Sequence, residues 1–183
     1  MSGLVAIVVL VGALALLNLL LTFGVVRRLR EHTELLADRV PASSPEPPSL
    51  PVGRRVSAFR GATTGGEPLT HDSWPGDTLV AFVSPDCGPC RERVPSLVET
   101  ARLWPGGRQA TMVVVIAGPD ASTEYAELLS PVARVVVEPP GGPVAAAFGV
   151  AAFPLFGVVD RSGRVLRSTL EPSTLLLQDA AQA

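Results

Sequence analysis

Cysteine occurs only twice in this 183-residue chain, and both copies fall in the tetrapeptide Cys87-Gly-Pro-Cys90. The apolar run Thr78-Leu-Val-Ala-Phe-Val83 leads into it, and from about residue 88 the pattern turns helical. That order predicts a buried strand feeding a helix, with the first thiol at the junction. Unpaired N–H groups of the first helical turn, and the positive end of the helix dipole, favour thiolate over thiol there. A second cysteine one turn on is close enough to close a small disulfide ring, the arrangement of reversible dithiol–disulfide exchange. A structural zinc site needs about four ligands. The chain adds only His32 and His71, neither at ligand spacing from the thiols. No metal is expected, and no cofactor beyond the Cys87–Cys90 pair itself. A purely structural disulfide is the bland alternative, against which stands the Gly-Pro spacer just before a helix.

Residues 3–26 contain no charged side chain, and Asn18 and Thr22 are their polar exceptions. As a helix the run spans about 36 Å, enough for a bilayer core with some tilt. It lacks the basic start and the small-x-small end of a cleaved signal, so it reads as a single-pass anchor. Residues 27–51 follow as a juxtamembrane helix and a Pro-rich spacer, and 52–183 form the folded domain. Net charge is −2 and all fifteen basic residues are arginine. Nothing here suggests nucleic acid, and the lack of lysine removes Schiff-base and P-loop chemistry. Arg27, Arg28 and Arg30 directly follow the anchor, which by the positive-inside rule places the domain in the cytoplasm.

Within the domain, 56–63 and 68–70 flank Gly65-Gly66 as a hairpin. Strands are expected over 78–83, 111–117 and 133–137. A second hairpin joins 155–159 to 164–167 around Asp160-Arg-Ser-Gly163. Helices are expected over 88–103, 122–129, 144–148 and 172–181. Strands alternating with helices imply an α/β domain whose mixed central sheet is covered on both faces.

With these elements in place the chain resembles the thioredoxin superfamily, and more closely its membrane-anchored TlpA-like branch. Cys87-Gly-Pro-Cys90 matches the redox motif, and Pro95 matches the proline of the active-site helix. Phe153-Pro154 before the strand Leu155-Phe-Gly-Val-Val matches the cis-proline segment. Val52-Gly53, Phe59, Gly66 and Leu69-Thr70 are similar to that branch's N-terminal hairpin, and the distance from Cys90 to Pro154 accommodates its extra helix–strand insert. Phe82-Val-Ser-Pro-Asp-Cys87 is similar to the subgroup that includes MauD, the methylamine-dehydrogenase accessory protein.

The resemblance implies a thiol–disulfide oxidoreductase with Cys87 as nucleophile and Cys90 as resolving thiol. It implies a cis Pro154 which, with Phe153, Gly88 and Pro89, contacts an extended client. It also implies protein thiol or disulfide clients, an upstream redox partner, and placement outside the cytoplasmic membrane, against the arginine pattern. Oligomeric state is not implied. Three positions depart from the family. Ala81 stands where thioredoxins carry a buried acid, Arg93 where many TlpA-like proteins carry glutamate, and Asp86 where tryptophan precedes the first cysteine. Asp86 is expected to cap the helix start, the alternative being that its like charge raises the Cys87 pKa. Two other functions compete. Ser84-Pro-Asp-Cys87 fits part of a peroxiredoxin signature, though Val80 replaces its proline; a tethered non-catalytic scaffold is the other.

Overall fold

The two longest apolar runs become the centre of the sheet. In the computed structural model, which describes residues 48–118 and 123–180 and positions 3, 7, 10–12 and 14, the elements follow in this order. A short hairpin pairs β1 (Arg60–Ala62) with β2 (Pro68–Thr70). Then come β3 (Thr78–Val83), α1 (Gly88–Leu103), a 3-10 turn (Gly107–Ala110) and β4 (Thr111–Ile116). The insert supplies α2 (Thr123–Leu129) and β5 (Arg134–Glu138). After it come α3 (Pro143–Phe148), β6 (Leu155–Val159), β7 (Val165–Thr169) and α4 (Ser173–Ala180). The five-stranded sheet runs β5-β4-β3-β6-β7; β3, β4 and β5 are parallel, while β6 and β7 are antiparallel additions.

Alternation along β3 sorts the core into two layers, because successive side chains leave opposite faces of a strand. Leu79, Ala81 and Val83 join Cys90, Val94 and Leu97 of α1, Tyr125 and Leu129 of α2, and Leu175 of α4. Val80 and Phe82 face the other way, onto Phe59, Leu69 and Trp74 of the N-terminal region and Val144 and Phe148 of α3. Every residue of β3 and β4 is buried. That explains why these strands read as continuous apolar runs.

Both sheet edges are occupied. Residues 50–56 run along β7: Leu50 N–H donates to Ser168 Oγ (2.7 Å), Gly53 N–H to the Val165 carbonyl (2.7 Å) and Val56 N–H to the Gly163 carbonyl (2.8 Å). At the other edge Thr64 N–H donates to the Val135 carbonyl at 2.8 Å. The segment along β7 shields that edge from pairing with another strand, while β5 carries this single contact among the described residues. A Cβ on Gly157 would stand 2.6 Å from both the Arg167 carbonyl oxygen and Leu50 Cδ1, so glycine is what lets Leu50 close over the sheet.

Several expected boundaries shift. The domain begins by Leu50, which is 1% exposed, so the spacer ends earlier than residue 51. The first strand is three residues rather than 56–63, because Val56 and Ser57 spend their N–H groups on Gly163 and Ala147 instead of a hairpin partner. β7 continues to Thr169 along Phe156, and the 3-10 turn was not anticipated. Met1–Glu46 forms a separate unit from Pro47–Ala183. No helix among the described residues is long and apolar enough to cross a membrane. The expected anchor at 3–26 and the helix and spacer at 27–51 lie mostly outside the described residues, which there comprise positions 3, 7, 10–12, 14 and 48–51.

Candidate active site

The carboxyl end of β3 delivers the chain to Ser84-Pro85-Asp86, and α1 begins immediately after Cys87. Cys87 is the N-cap, with extended backbone (φ −96°, ψ 113°). Its Sγ accepts the N–H of Cys90 at 3.2 Å, while its carbonyl accepts Cys90 N–H (3.1 Å) and Arg91 N–H (3.2 Å). The sulfur therefore takes the place that a serine or aspartate oxygen fills in ordinary caps. Asp86, expected to cap, is exposed instead. The cap position falls one residue later, where Cys87 leaves the strand geometry.

Cys87 and Cys90 are joined as a disulfide, with Cα atoms 5.2 Å apart. The two sulfurs are not equivalent. Cys87 is half-buried, whereas Cys90 is 0% exposed and packed among Ala81, Val83 and Val94. Gly88 and Pro89 are exposed beside the pair. The Phe153–Pro154 peptide bond is cis. The Phe153 carbonyl oxygen lies 3.7 Å from Cys87 Sγ. Pro154 is buried, and half-buried Phe153 packs against both core layers. The structure thus gathers Cys87, Cys90, Gly88, Pro89, Phe153 and Pro154 at one end of the sheet.

The departures from the family pattern have definite surroundings. Ala81 is fully buried, opposite Val113 on one side and Phe156 on the other. Arg93 Nε lies 3.1 Å from Glu171 Oε2, and Ser96 Oγ donates to Glu171 Oε1 at 3.0 Å. Arg93 thereby ties α1 to the segment entering α4. Glu92 is exposed. Pro95 sits inside α1 on its exposed side, where its ring displaces no core side chain and its missing N–H leaves the carbonyl four residues earlier without that helical donor.

Two residues that sequence reasoning passed over stand out. Tyr125 is 6% exposed, and its hydroxyl has no hydrogen-bond partner among the described residues. Burial pushes its phenol pKa up, with Arg91 in the first turn of α1 opposing that shift. Glu138 is 5% exposed and accepts hydrogen bonds from the start of α3. Tyr125 had no signal beyond an aromatic in a helical run. Glu138 had one: an acid leading into Pro-Pro-Gly-Gly-Pro.

No protein-family model matches the chain, and no curated relative does. Solved structures do match. The thioredoxin domain of a thiol-disulfide oxidoreductase from Bacteroides vulgatus superposes with a TM-score of 0.58 at 20% identity, covering 72% of this chain and 97% of that one. A thiol:disulfide interchange protein from Bacteroides sp. gives 0.57 at 19% identity, with 72% and 90% covered. StoA from Bacillus subtilis gives 0.53 at 13% identity, with 66% and 94% covered. At these identities the likeness establishes the fold, which is that of thioredoxin.

Proposed function

We propose that the protein is a membrane-tethered thiol–disulfide oxidoreductase acting on protein clients. The observation that carries this reading is the inequality of the two sulfurs: Cys87 is a half-exposed helix cap, and Cys90 is sealed in the core beneath it. Attack by an outside thiolate is confined to Cys87 Sγ. A client thiolate forms a bond to that sulfur, the Cys87–Cys90 bond breaks, and Cys90 leaves as thiolate. A second client thiolate then attacks the client sulfur of the mixed disulfide and releases Cys87 as thiolate. The client has lost two electrons and the protein has gained them. Run backwards, the same steps reduce a client disulfide.

The Phe153 carbonyl, 3.7 Å from Cys87 Sγ, offers an acceptor for an extended client backbone, and Phe153, Gly88 and Pro89 supply contact around it. The tether rests on the 3–26 run, and the extracytoplasmic placement on the resemblance to TlpA-like proteins. An upstream redox partner sets the direction.

The test is the reduction potential of the Cys87–Cys90 pair in the full-length chain, equilibrated in defined thiol buffers. A reversible two-electron couple is expected. A value near about −270 mV marks a reductant and one near about −120 mV a disulfide donor. Absence of any reversible couple would sink the reading. Cys90→Ala is expected to trap a client on Cys87, because the resolving thiol is gone.

A further inference from the structure

Residues 138–143 read Glu-Pro-Pro-Gly-Gly-Pro, and the structure folds them into a cradle around the carboxylate at their start. Glu138 ends β5, and its Oε2 accepts the N–H of Val144 at 3.0 Å. Its Oε1 accepts the N–H of Ala145 at 2.6 Å. These are first-turn donors of α3, which no side chain of its own N-cap, Gly142, satisfies. A Cβ on Gly142 would stand 2.5 Å from Glu138 Cδ and 2.7 Å from its Cβ and Cγ, so the loop closes over the carboxylate only with glycine there. A carboxylate this deep is costly to desolvate. Charge-assisted hydrogen bonds at a helix start offset that cost.

What α3 holds in turn is the site. Ala145, bound to Glu138 through its N–H, accepts the N–H of Val150 through its carbonyl at 3.0 Å. Val150 opens the stretch that ends at Phe153 and the cis Pro154. The far end of that stretch is fixed by Leu155 pairing with Phe82. Phe148, the last residue of α3, packs edge-on against Phe82 with ring centroids 5.0 Å apart. A continuous relay therefore runs from the Glu138 carboxylate through Ala145 and Val150 to the segment whose Phe153 carbonyl lies 3.7 Å from Cys87 Sγ.

We infer that Glu138 is a positioning residue for client docking: by pinning α3 it sets the carbonyl against which an extended client pairs beside Cys87. The inference rests on the oxidoreductase reading above. It separates two kinds of substrate. A peptide that pairs along the 150–154 segment depends on the relay, and a small dithiol that meets Cys87 alone does not.

The experiment compares the full-length protein with Glu138→Gln, which keeps size but offers one acceptor where the carboxylate offered two. Gly142→Ala is the second variant and disturbs the cradle from its other wall. Oxidised protein is mixed with an extended two-cysteine peptide and, separately, with dithiothreitol, and the two rate constants are expressed as a ratio. A displacement of the acceptor by a fraction of an ångström lowers the peptide-to-dithiothreitol ratio about tenfold in Glu138→Gln, and Gly142→Ala lowers it in the same direction. An unchanged ratio in folded Glu138→Gln overturns the inference, even if both rates drop together, because a loss of stability alone moves both. Should the unmodified protein exchange with neither thiol, the redox reading falls by itself. Hydrogen exchange at the Val150 amide then judges the relay: faster in Glu138→Gln supports it, and an equal rate overturns it.

Discussion

Ala81→Asp restores the buried acid that the thioredoxin pattern carries at this position, and its cost follows from where Ala81 sits. The residue is 0% exposed, in the central strand, between Val113 and Phe156 and in the same packed layer as Cys90. Its named neighbours in that layer, Val94 and Leu97 of α1 among them, are apolar. Burial raises a carboxyl pKa because the charged form loses its hydration; a shift of about 3 units above the usual ~3.9 is ordinary for a fully buried acid. Each unit is worth about 1.4 kcal/mol, so the ionisation part of the cost is about 4 kcal/mol at pH 8. The sign follows from linkage: a carboxyl raised in the folded state binds more protons there than in the unfolded chain, so its penalty grows with pH. At pH 5 the folded-state carboxyl is still protonated while the unfolded one is mostly ionised, and the penalty shrinks to about 1.5 kcal/mol.

Urea unfolding of the oxidised variant and parent at pH 5 and pH 8 reads this difference, about 2.5 kcal/mol, directly as a shift in midpoint. An equal loss at both pH values would mean simple overpacking beside Phe156 and would refute the electrostatic argument. The same variant tests the chemistry. If Cys90 lacks a base in this protein, the new carboxyl speeds resolution of a preformed mixed disulfide by about 10²-fold, the lower end of what a positioned base contributes. An unmoved rate would show that another group already takes the proton.

Two further outcomes follow from the buried polar atoms. Tyr125→Phe removes a hydroxyl that has no partner among the described residues. It is expected to leave the protein as stable or up to about 1 kcal/mol more so, since an unsatisfied buried group carries a desolvation penalty; a loss above that in urea melts would show that the hydroxyl is bonded in solution. Arg134 is 5% exposed, and its Nε and Nη2 make no hydrogen bond among the described residues. Burial lowers its pKa, Glu67 opposes that, and Arg108 reinforces it. Arg134→Met, of similar length and apolar, is expected to raise stability by about 1–3 kcal/mol, and a fall in the urea midpoint would contradict this.

The layout of the sheet was legible because its central strands are buried on both faces, so β3 and β4 announce themselves as unbroken apolar runs. The site was legible for a related reason. A cysteine at a strand-to-helix junction and a proline opening a later strand are local facts about one chain, and the fold brings them together by pairing β6 antiparallel beside β3, with Leu155 opposite Phe82. What stayed hidden depends on distant partners. The shortness of β1 follows from Val56 and Ser57 bonding to Gly163 and Ala147, roughly a hundred residues away. Arg93 looked like a missing acid until Glu171 appeared across the α1–α4 contact. The Glu138 cap lies beyond the local spacing of a capping box, since the acid reaches α3 from the preceding strand through a glycine-closed loop.

The inequality of the two sulfurs also fixes how the couple must respond to pH. Reduction of the disulfide takes up two electrons and as many protons as the product thiols retain. Cys87, as helix cap, has the Cys90 N–H aimed at its sulfur at 3.2 Å and the positive end of α1 behind it, an arrangement expected to favour the thiolate once the disulfide is reduced. Cys90 is fully buried among aliphatic side chains with Ala81 in place of an acid, surroundings expected to favour the neutral thiol in the reduced protein. Below the Cys87 pKa both protons are taken up and the potential falls by about 59 mV per pH unit; above it one proton suffices and the slope halves to about 30 mV. A helix cap that stabilises the reduced form also makes the pair more oxidising than two unperturbed thiols. A potential followed from pH 4 to pH 9 in the full-length chain should therefore show one break, assignable to Cys87. A uniform slope of about 59 mV across that range would mean that the cap does not stabilise the thiolate. The distinction drawn between an exposed nucleophile and a sealed resolving thiol would then rest on accessibility alone.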